Sequence, residues 1–162
     1  MCKNIFITGR CGYKGSKIVP LLLDNGHKVT VYDTTWFGNH LQFHPDLTVL
    51  IGDVRNLENL SLIGFDTVIH LASIANDPCG DLNPALTWEI SVLATQQLAE
   101  IAVSCGVKDF IYASSGSVYG LSHAENVTEN EILVPISTYN KTKMCAERVL
   151  LSYSEQINIK II

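Results

Sequence analysis

Hydrophobic positions along this chain fall into two alternating patterns. Ile5-Phe6-Ile7 is a short, β-branched apolar run that closes on Thr8-Gly9, the mark of a strand buried on both faces. Residues 16–25 carry Ile18, Val19, Leu22 and Leu23 at helical spacing, and Gly26 follows as a stop. Residues 29–32, 48–51 and 67–71 read as three more strands. A long helix is predicted over 83–104, with Leu86, Ile90, Leu93, Ala94, Leu98 and Ile101 on its apolar face and Cys105-Gly106 at its end. Residues 110–113 make a fifth strand. Helical spacing resumes through Tyr139, Lys143, Ala146, Leu150 and Tyr153, and residues 159–162 make a sixth strand. Strands that alternate with crossover helices predict an α/β, doubly wound parallel sheet. Pro20 conflicts locally with its helix and predicts a bend or a late helix start.

Composition narrows the class. The 162 residues are 47% hydrophobic and 17% charged, enough to build a core and far from a disordered or coiled-coil composition. No apolar run reaches a membrane span, and the first residues lack the apolar stretch of a signal peptide. Eleven Lys+Arg against 16 Asp+Glu give a net charge of −5 without a basic cluster, which argues against nucleic acid as a partner. Cys2, Cys11, Cys79, Cys105 and Cys145 are scattered and unpaired in spacing, so they read as reduced cytoplasmic thiols. His40, His44 and Asp46 have metal-like spacing but no third strong ligand, and read as solvated loop residues.

The first strand runs into Thr8-Gly9-Arg10-Cys11-Gly12-Tyr13-Lys14-Gly15 and then a helix. Glycines let a phosphate approach the backbone and the free N–H groups of a helix N-terminus. A tight turn would use the same residues, but the place in the first strand–helix unit favours a dinucleotide. Asp33 ends the second strand eighteen residues past Gly15, where a carboxylate accepts from ribose hydroxyls and repels a 2′-phosphate; this favours NAD over NADP. Arg10, a cation in the same loop, pulls the other way. Asp53 either accepts from an adenine amino group or caps its own turn. The small residues after His70, Leu71-Ala72-Ser73, suit a ligand lying against the sheet edge, whereas His70 itself reads as a packed strand-end residue.

Two later features bear on chemistry. Tyr112-Ala113-Ser114-Ser115-Gly116-Ser117-Val118-Tyr119-Gly120 brings hydroxyls to the carboxyl edge of the sheet. Tyr139 and Lys143 stand at i, i+4 and project from one helix face. Using a tyrosine as a base near pH 7 requires about 4 kcal/mol of phenolate stabilisation, at ~1.36 kcal/mol per pKa unit. A nearby ammonium and an oxidised nicotinamide supply charge of the right sign.

With Thr8-Gly9-x-x-Gly12-x-x-Gly15, Asp33, Asp53-Val54, His70-Leu71-Ala72, Ser114-Ser115-x-x-Val118-Tyr119-Gly120 and Tyr139-x-x-x-Lys143, the chain resembles the extended short-chain dehydrogenase/reductases. Its likeness is to their NAD-dependent epimerase/dehydratase group, which acts on nucleotide sugars, and it runs over essentially the whole chain. The resemblance implies a Rossmann domain over 1–162 that binds NAD through Gly9, Gly12, Tyr13, Lys14, Gly15, Asp33, Asp53, Val54, Leu71, Ala72, Ser73, Tyr139 and Lys143. It implies that Ser115 bonds the reacting sugar hydroxyl and Tyr139 exchanges its proton. Lys143 then lowers the tyrosine pKa and holds the nicotinamide ribose. The expected function is a nucleotide-sugar epimerase, with a reductase or dehydrogenase of a similar sugar and a non-catalytic NAD-binding module as alternatives.

Departures from that pattern are informative. Gly116 and Ser117 stand where family dehydratases carry an Asp-Glu pair, which argues against a 4,6-dehydratase. Lys14 stands where the family usually has an apolar residue, and Ser91 where it often has an asparagine. The segment 75–88 is loosely similar to enzymes of surface-polysaccharide sugars. Asn126 and Asn140 match a glycosylation pattern that has no meaning in the cytoplasm. The family likeness further implies a homodimer through the 83–104 helix and the Tyr139 helix. It also implies a chain truncated near the sixth strand, without the C-terminal substrate region and with an exposed edge that lowers solubility.

Overall fold

The structure is a computed structural model that describes residues 2–9, 12–36, 38–39, 41–121 and 126–162. Arg10, Cys11 and His40 lie outside the described residues. Six parallel strands, β1 (Asn4–Thr8), β2 (Lys28–Asp33), β3 (Leu47–Ile51), β4 (Thr67–His70), β5 (Asp109–Tyr112) and β6 (Asn158–Ile161), form one sheet in the order β3-β2-β1-β4-β5-β6. The predicted doubly wound sheet is therefore present, and the chain order reverses beside β1.

Alternation along the central strands divides the core in two. Ile5 and Ile7 of β1 and Ile69 of β4 pack with Val19 and Leu23 of α1 (Tyr13–Asp24). Phe6 and Val68 point the other way, onto Leu98, Ala99 and Ala102 of α4 (Ala94–Ser104) and Ala146 and Leu150 of α5 (Thr138–Leu151). Burial on both faces explains why these strands read as continuous apolar runs.

Helix α1 starts at Tyr13, so the late start predicted from Pro20 does not occur. Pro20 lies on the exposed side, where water can reach the Ser16 carbonyl that its missing N–H leaves without a helical donor. Two short helices, α2 (Asp77–Leu82) and α3 (Pro84–Trp88), precede α4. The predicted helix over 83–104 is continuous from α3 to α4, but residues Glu89–Leu93 form a π-helical turn. The wider turn rotates the following face, so Leu93, predicted to be apolar core, is 54% exposed, while Ser91 and Thr95 are buried.

Candidate active site at the carboxyl edge of the sheet

The loops leaving β1 to β5, together with α5, enclose a cleft of about 370 Å³. Its β2–β3 end is lined by Asp33, Trp36 and Asp53, its middle by Gly9 and Gly12, and its β4–β5 end by Ser73, Tyr139 and Lys143. Tyr13, Lys14, Val54, Leu71 and Ala72 also line it, so the cofactor residues expected from sequence converge, with one exception. Gly15 is buried inside α1 and does not line the cleft.

Gly9 has φ +71°, and a Cβ there would lie 2.3 Å from the Ala72 backbone. Glycine is thus what allows the β1 turn to lie against the β4 exit. Gly12 is the N-cap of α1 and has no side-chain capping bond, which leaves the first-turn N–H groups beside the cleft. Asp33 accepts from the Thr35 N–H at 2.7 Å while lining the cleft. The two sequence readings of Asp53 are weighed by its partners: Oδ1 accepts from the Arg55 N–H at 2.9 Å, and the Arg55 guanidinium reaches Oδ2 at 2.6 Å. Asp53 therefore caps its own turn, and its bonds from Arg55 hold the carboxyl below the usual carboxylate range.

Tyr32, Trp36, Gly52, Ile90 and Ala113 also line the cleft but were not singled out in the sequence. Gly52 is explained by Tyr32, whose ring would lie 2.3 Å from a Cβ at that position and whose hydroxyl donates to the Asp53 carbonyl at 3.1 Å. No local pattern signals that pairing across 20 residues. Trp36, an exposed aromatic three residues past Asp33, is the one such residue a sequence reading can find.

At the other end, Ser115 caps the 3₁₀ turn Gly116–Tyr119 and hydrogen-bonds Tyr139. Its Oγ lies 2.7 Å from Ser117 Oγ, which donates to Asn140 Oδ1 at 2.6 Å. Because Ser117 gives its proton to an amide oxygen, Ser115 donates to Ser117. The side chain of Asn140 is thus occupied and the residue buried. Lys143 is 2% exposed, and its ammonium donates to the Ala113 carbonyl at 2.7 Å, 5.8 Å from the Tyr139 ring centre.

Electrostatics correct one expectation. Burial pushes the Tyr139 phenol up and the Asp77 carboxylate adds to this, while the Ser115 hydrogen bond pulls it down. Lys143 does not depress it in this arrangement, because the ammonium is turned to Ala113. Burial and the charge of Lys14 bring Lys143 itself down to about 7, against the opposing charge of Glu147. Lys14, singled out as a departure, therefore projects its charge into the cleft.

His70 is fully buried, as expected of a packed strand-end residue. Thr95 donates its hydroxyl proton to the Ser91 carbonyl at 2.8 Å, so His70 Nε2, also 2.8 Å from Thr95 Oγ1, carries the ring proton. Nδ1 then accepts from Thr8, and the ring is neutral with both nitrogens engaged. The hydroxyl of Ser91 itself is buried without a hydrogen-bond partner among the described residues. His44 accepts from the Asp46 N–H, a turn contact. Among the described residues no cluster of His, Cys, Asp or Glu is arranged to hold a metal. No described helix is long and apolar enough to cross a membrane.

A cleft at the reversal point of a parallel sheet, with a glycine turn on its floor, defines a dinucleotide-binding enzyme fold. Comparison with known proteins makes this specific. The chain belongs to the NAD dependent epimerase/dehydratase family, which it matches over residues 5–162. It is 29% identical over 153 residues to the UDP-glucose 4-epimerase of Corynebacterium glutamicum, covering 93% of this chain and 46% of that protein. A 3-beta-hydroxysteroid dehydrogenase of Mycolicibacterium neoaurum is 28% identical over 159 residues, covering 91% and 42%. Among solved structures, MoeE5 in complex with UDP-glucuronic acid and NAD superimposes with a TM-score of 0.84 at 32% identity, over 98% of this chain and 52% of that one. The chain thus spans about half the length of the relatives it matches, and the family's cofactor is NAD.

Proposed function

We propose that this chain is the cofactor-binding and catalytic half of an NAD-dependent nucleotide-sugar epimerase. The observation that carries the reading is the meeting of Tyr139 and Lys143 at the far end of a cleft that begins at Asp33, with Ser115 beside the Tyr139 phenol. The residues fit NAD: Gly9 leaves the cleft floor free of side chain, and the uncapped start of α1 at Gly12, Tyr13 and Lys14 suits a diphosphate. Asp33 would take the adenosine ribose, Asp53 and Val54 the adenine side, and Leu71, Ala72 and Ser73 the wall beneath the ligand. When bound, NAD supplies a site that accepts a hydride from the sugar carbon and returns it to the opposite face.

This chain's own residues manage the proton. Tyr139 receives the proton of the sugar hydroxyl as the hydride leaves, and gives it back on return. Ser115 orients that hydroxyl, held in direction by Ser117 and Asn140. Lys143, fixed on Ala113, supports the nicotinamide ribose. When bound, the positive charge of the oxidised cofactor would counter the upward push that burial gives Tyr139.

A net dehydrogenase is the second reading, favoured by the likeness to the Mycolicibacterium steroid dehydrogenase. Incubation of the full-length protein carrying this chain with NAD and UDP-hexoses separates them. A C4 epimer without net NADH supports the epimerase, and accumulation of NADH with oxidised product overturns it. We further infer a cytoplasmic homodimer joined through α4 and α5, serving surface-polysaccharide sugars. A monomeric mass for the full-length protein at micromolar concentration contradicts the dimer.

A further inference from the structure

Helix α5 presents Tyr139, Lys143 and Glu147 at successive i, i+4 spacings, so the three lie along one stripe. The first two act in the proposed reaction; Glu147 has no part in it. Its Oε1 accepts a hydrogen bond from Ser114 Oγ, on the residue after Ala113 at the exit of β5. Ser114 is buried, and its N–H donates to the Ile162 carbonyl at 2.7 Å. Glu147 therefore grips the strand exit at a single residue flanked by two working neighbours. On one side, the Ala113 carbonyl holds Lys143; on the other, Ser115 meets the Tyr139 phenol.

Charge gives Glu147 a second connection to the site. The groups that face the Lys143 ammonium are Lys14 from α1, His70 from β4, Tyr112 from β5, and Tyr139 and Glu147 from its own helix. The rings of His70, Tyr112 and Tyr139 are neutral and Lys14 is a cation, so Glu147 is the anion of this set. An ammonium that is 2% exposed, with one carbonyl acceptor and a second cation nearby, is costly unless a counter-charge is near.

We propose that Glu147 is the positioning residue of the Tyr139–Lys143 pair. Its hydrogen bond with Ser114 fixes the β5 exit against α5, and its carboxylate is the counter-ion of the buried Lys143 ammonium. The link to turnover rests on the reaction given above; the electrostatic link does not.

The two roles separate by substitution. Glu147→Gln keeps an amide oxygen for Ser114 and removes the charge, whereas Ser114→Ala keeps the charge and removes the bond. Lysine ε-carbon NMR on the 162-residue chain follows Lys143 directly, with its resonance assigned through Lys143→Arg. Lys143 titrates near 7 in the parent chain, and Glu147→Gln moves the midpoint down by about one unit while Ser114→Ala leaves it nearly in place. An unmoved midpoint in Glu147→Gln, with the amide fingerprint of the fold retained, overturns the proposal. In the full-length protein, Glu147→Gln lowers kcat more than it raises KM, with recovery towards lower pH; Ser114→Ala lowers kcat equally across pH. Absence of turnover in the parent protein counts against the proposed reaction alone, since the titrations stand without it.

Discussion

Gly9→Ala tests whether the floor of the cleft is set by backbone contact. Two costs apply. Forcing alanine into the left-handed φ of +71° costs about 1–2 kcal/mol. The new Cβ would also lie 2.3 Å from the Ala72 Cα and N, and neither is the end of a flexible side chain. Ala72 is held through its N–H to Thr8 Oγ1 and Leu71 through its N–H to the Thr8 carbonyl, so β1 and β4 must part to admit the methyl. Displacement of this kind adds about 1–3 kcal/mol, for a total of about 2–5 kcal/mol out of the roughly 5–15 kcal/mol that holds a domain together. Gly26→Ala is the control, because Gly26 has a similar φ of +76° with nothing within 4 Å of a Cβ. Both substitutions gain equally from a stiffer unfolded chain. Urea unfolding, followed by the fluorescence of Trp36 and Trp88, should therefore give Gly9→Ala a midpoint lower than that of Gly26→Ala by about 1 M, at a slope of roughly 1–3 kcal/mol per M. Equal midpoints would refute the contact argument and leave only the dihedral cost.

Three further outcomes are expected. His70 is held neutral, its pKa brought from 6.5 to about 3 by full burial, so its contribution is complete above pH 6.5 and is lost as pH falls towards 3. At about 1.36 kcal/mol per unit this amounts to about 5 kcal/mol. Urea unfolding between pH 6.5 and 4.5, above the titration of Asp109, should show about half of that decline, and a His70→Gln chain should lack it; equal slopes would contradict the burial argument. Tyr139→Phe should abolish turnover in the full-length protein while NAD affinity by calorimetry stays within a few-fold, and retained activity would remove Tyr139 from the proton path. Trp36, 65% exposed at the edge of the cleft, should report NAD by a change in fluorescence that Trp36→Phe eliminates; a response that persists assigns the signal to Trp88.

Strand and helix order was legible because most central strand residues face one of two buried layers and α1 and α5 keep a regular apolar spacing. The π-turn was not, since Glu-Ile-Ser-Val-Leu reads as ordinary helix and only packing around Thr95 and His70 exposes the extra residue. Helix α2 was invisible for another reason. Asp-Pro-Cys-Gly-Asp-Leu has no apolar period, and the helix is secured instead by the Asn76 cap on Cys79 and by the close approach of Gly80 to Tyr139. Cleft-lining residues fixed to a local turn, such as Gly9, Gly12 and Asp33, could be picked out from spacing alone. Those defined by distant partners were not: Gly52 answers to Tyr32, and Glu147 to Ser114. The direction of the Lys143 ammonium belongs to this second kind, because i, i+4 spacing brings it near Tyr139 but the Ala113 carbonyl decides where it points.

The π-turn at Glu89–Leu93 makes the long helix a place where chain length, more than residue type, is constrained. Its upstream half carries Thr87, which bonds the Gly80 carbonyl, and its downstream half carries Thr95, which receives the His70 proton. Deleting one residue between them would convert the turn to regular helix and swing one half about 100° relative to the other. Either Thr95 would leave His70 or Thr87 would leave Gly80. Single-residue gaps should thus be rejected inside 88–94 even where every remaining side chain is compatible, while substitution at exposed Leu93 should be accepted freely.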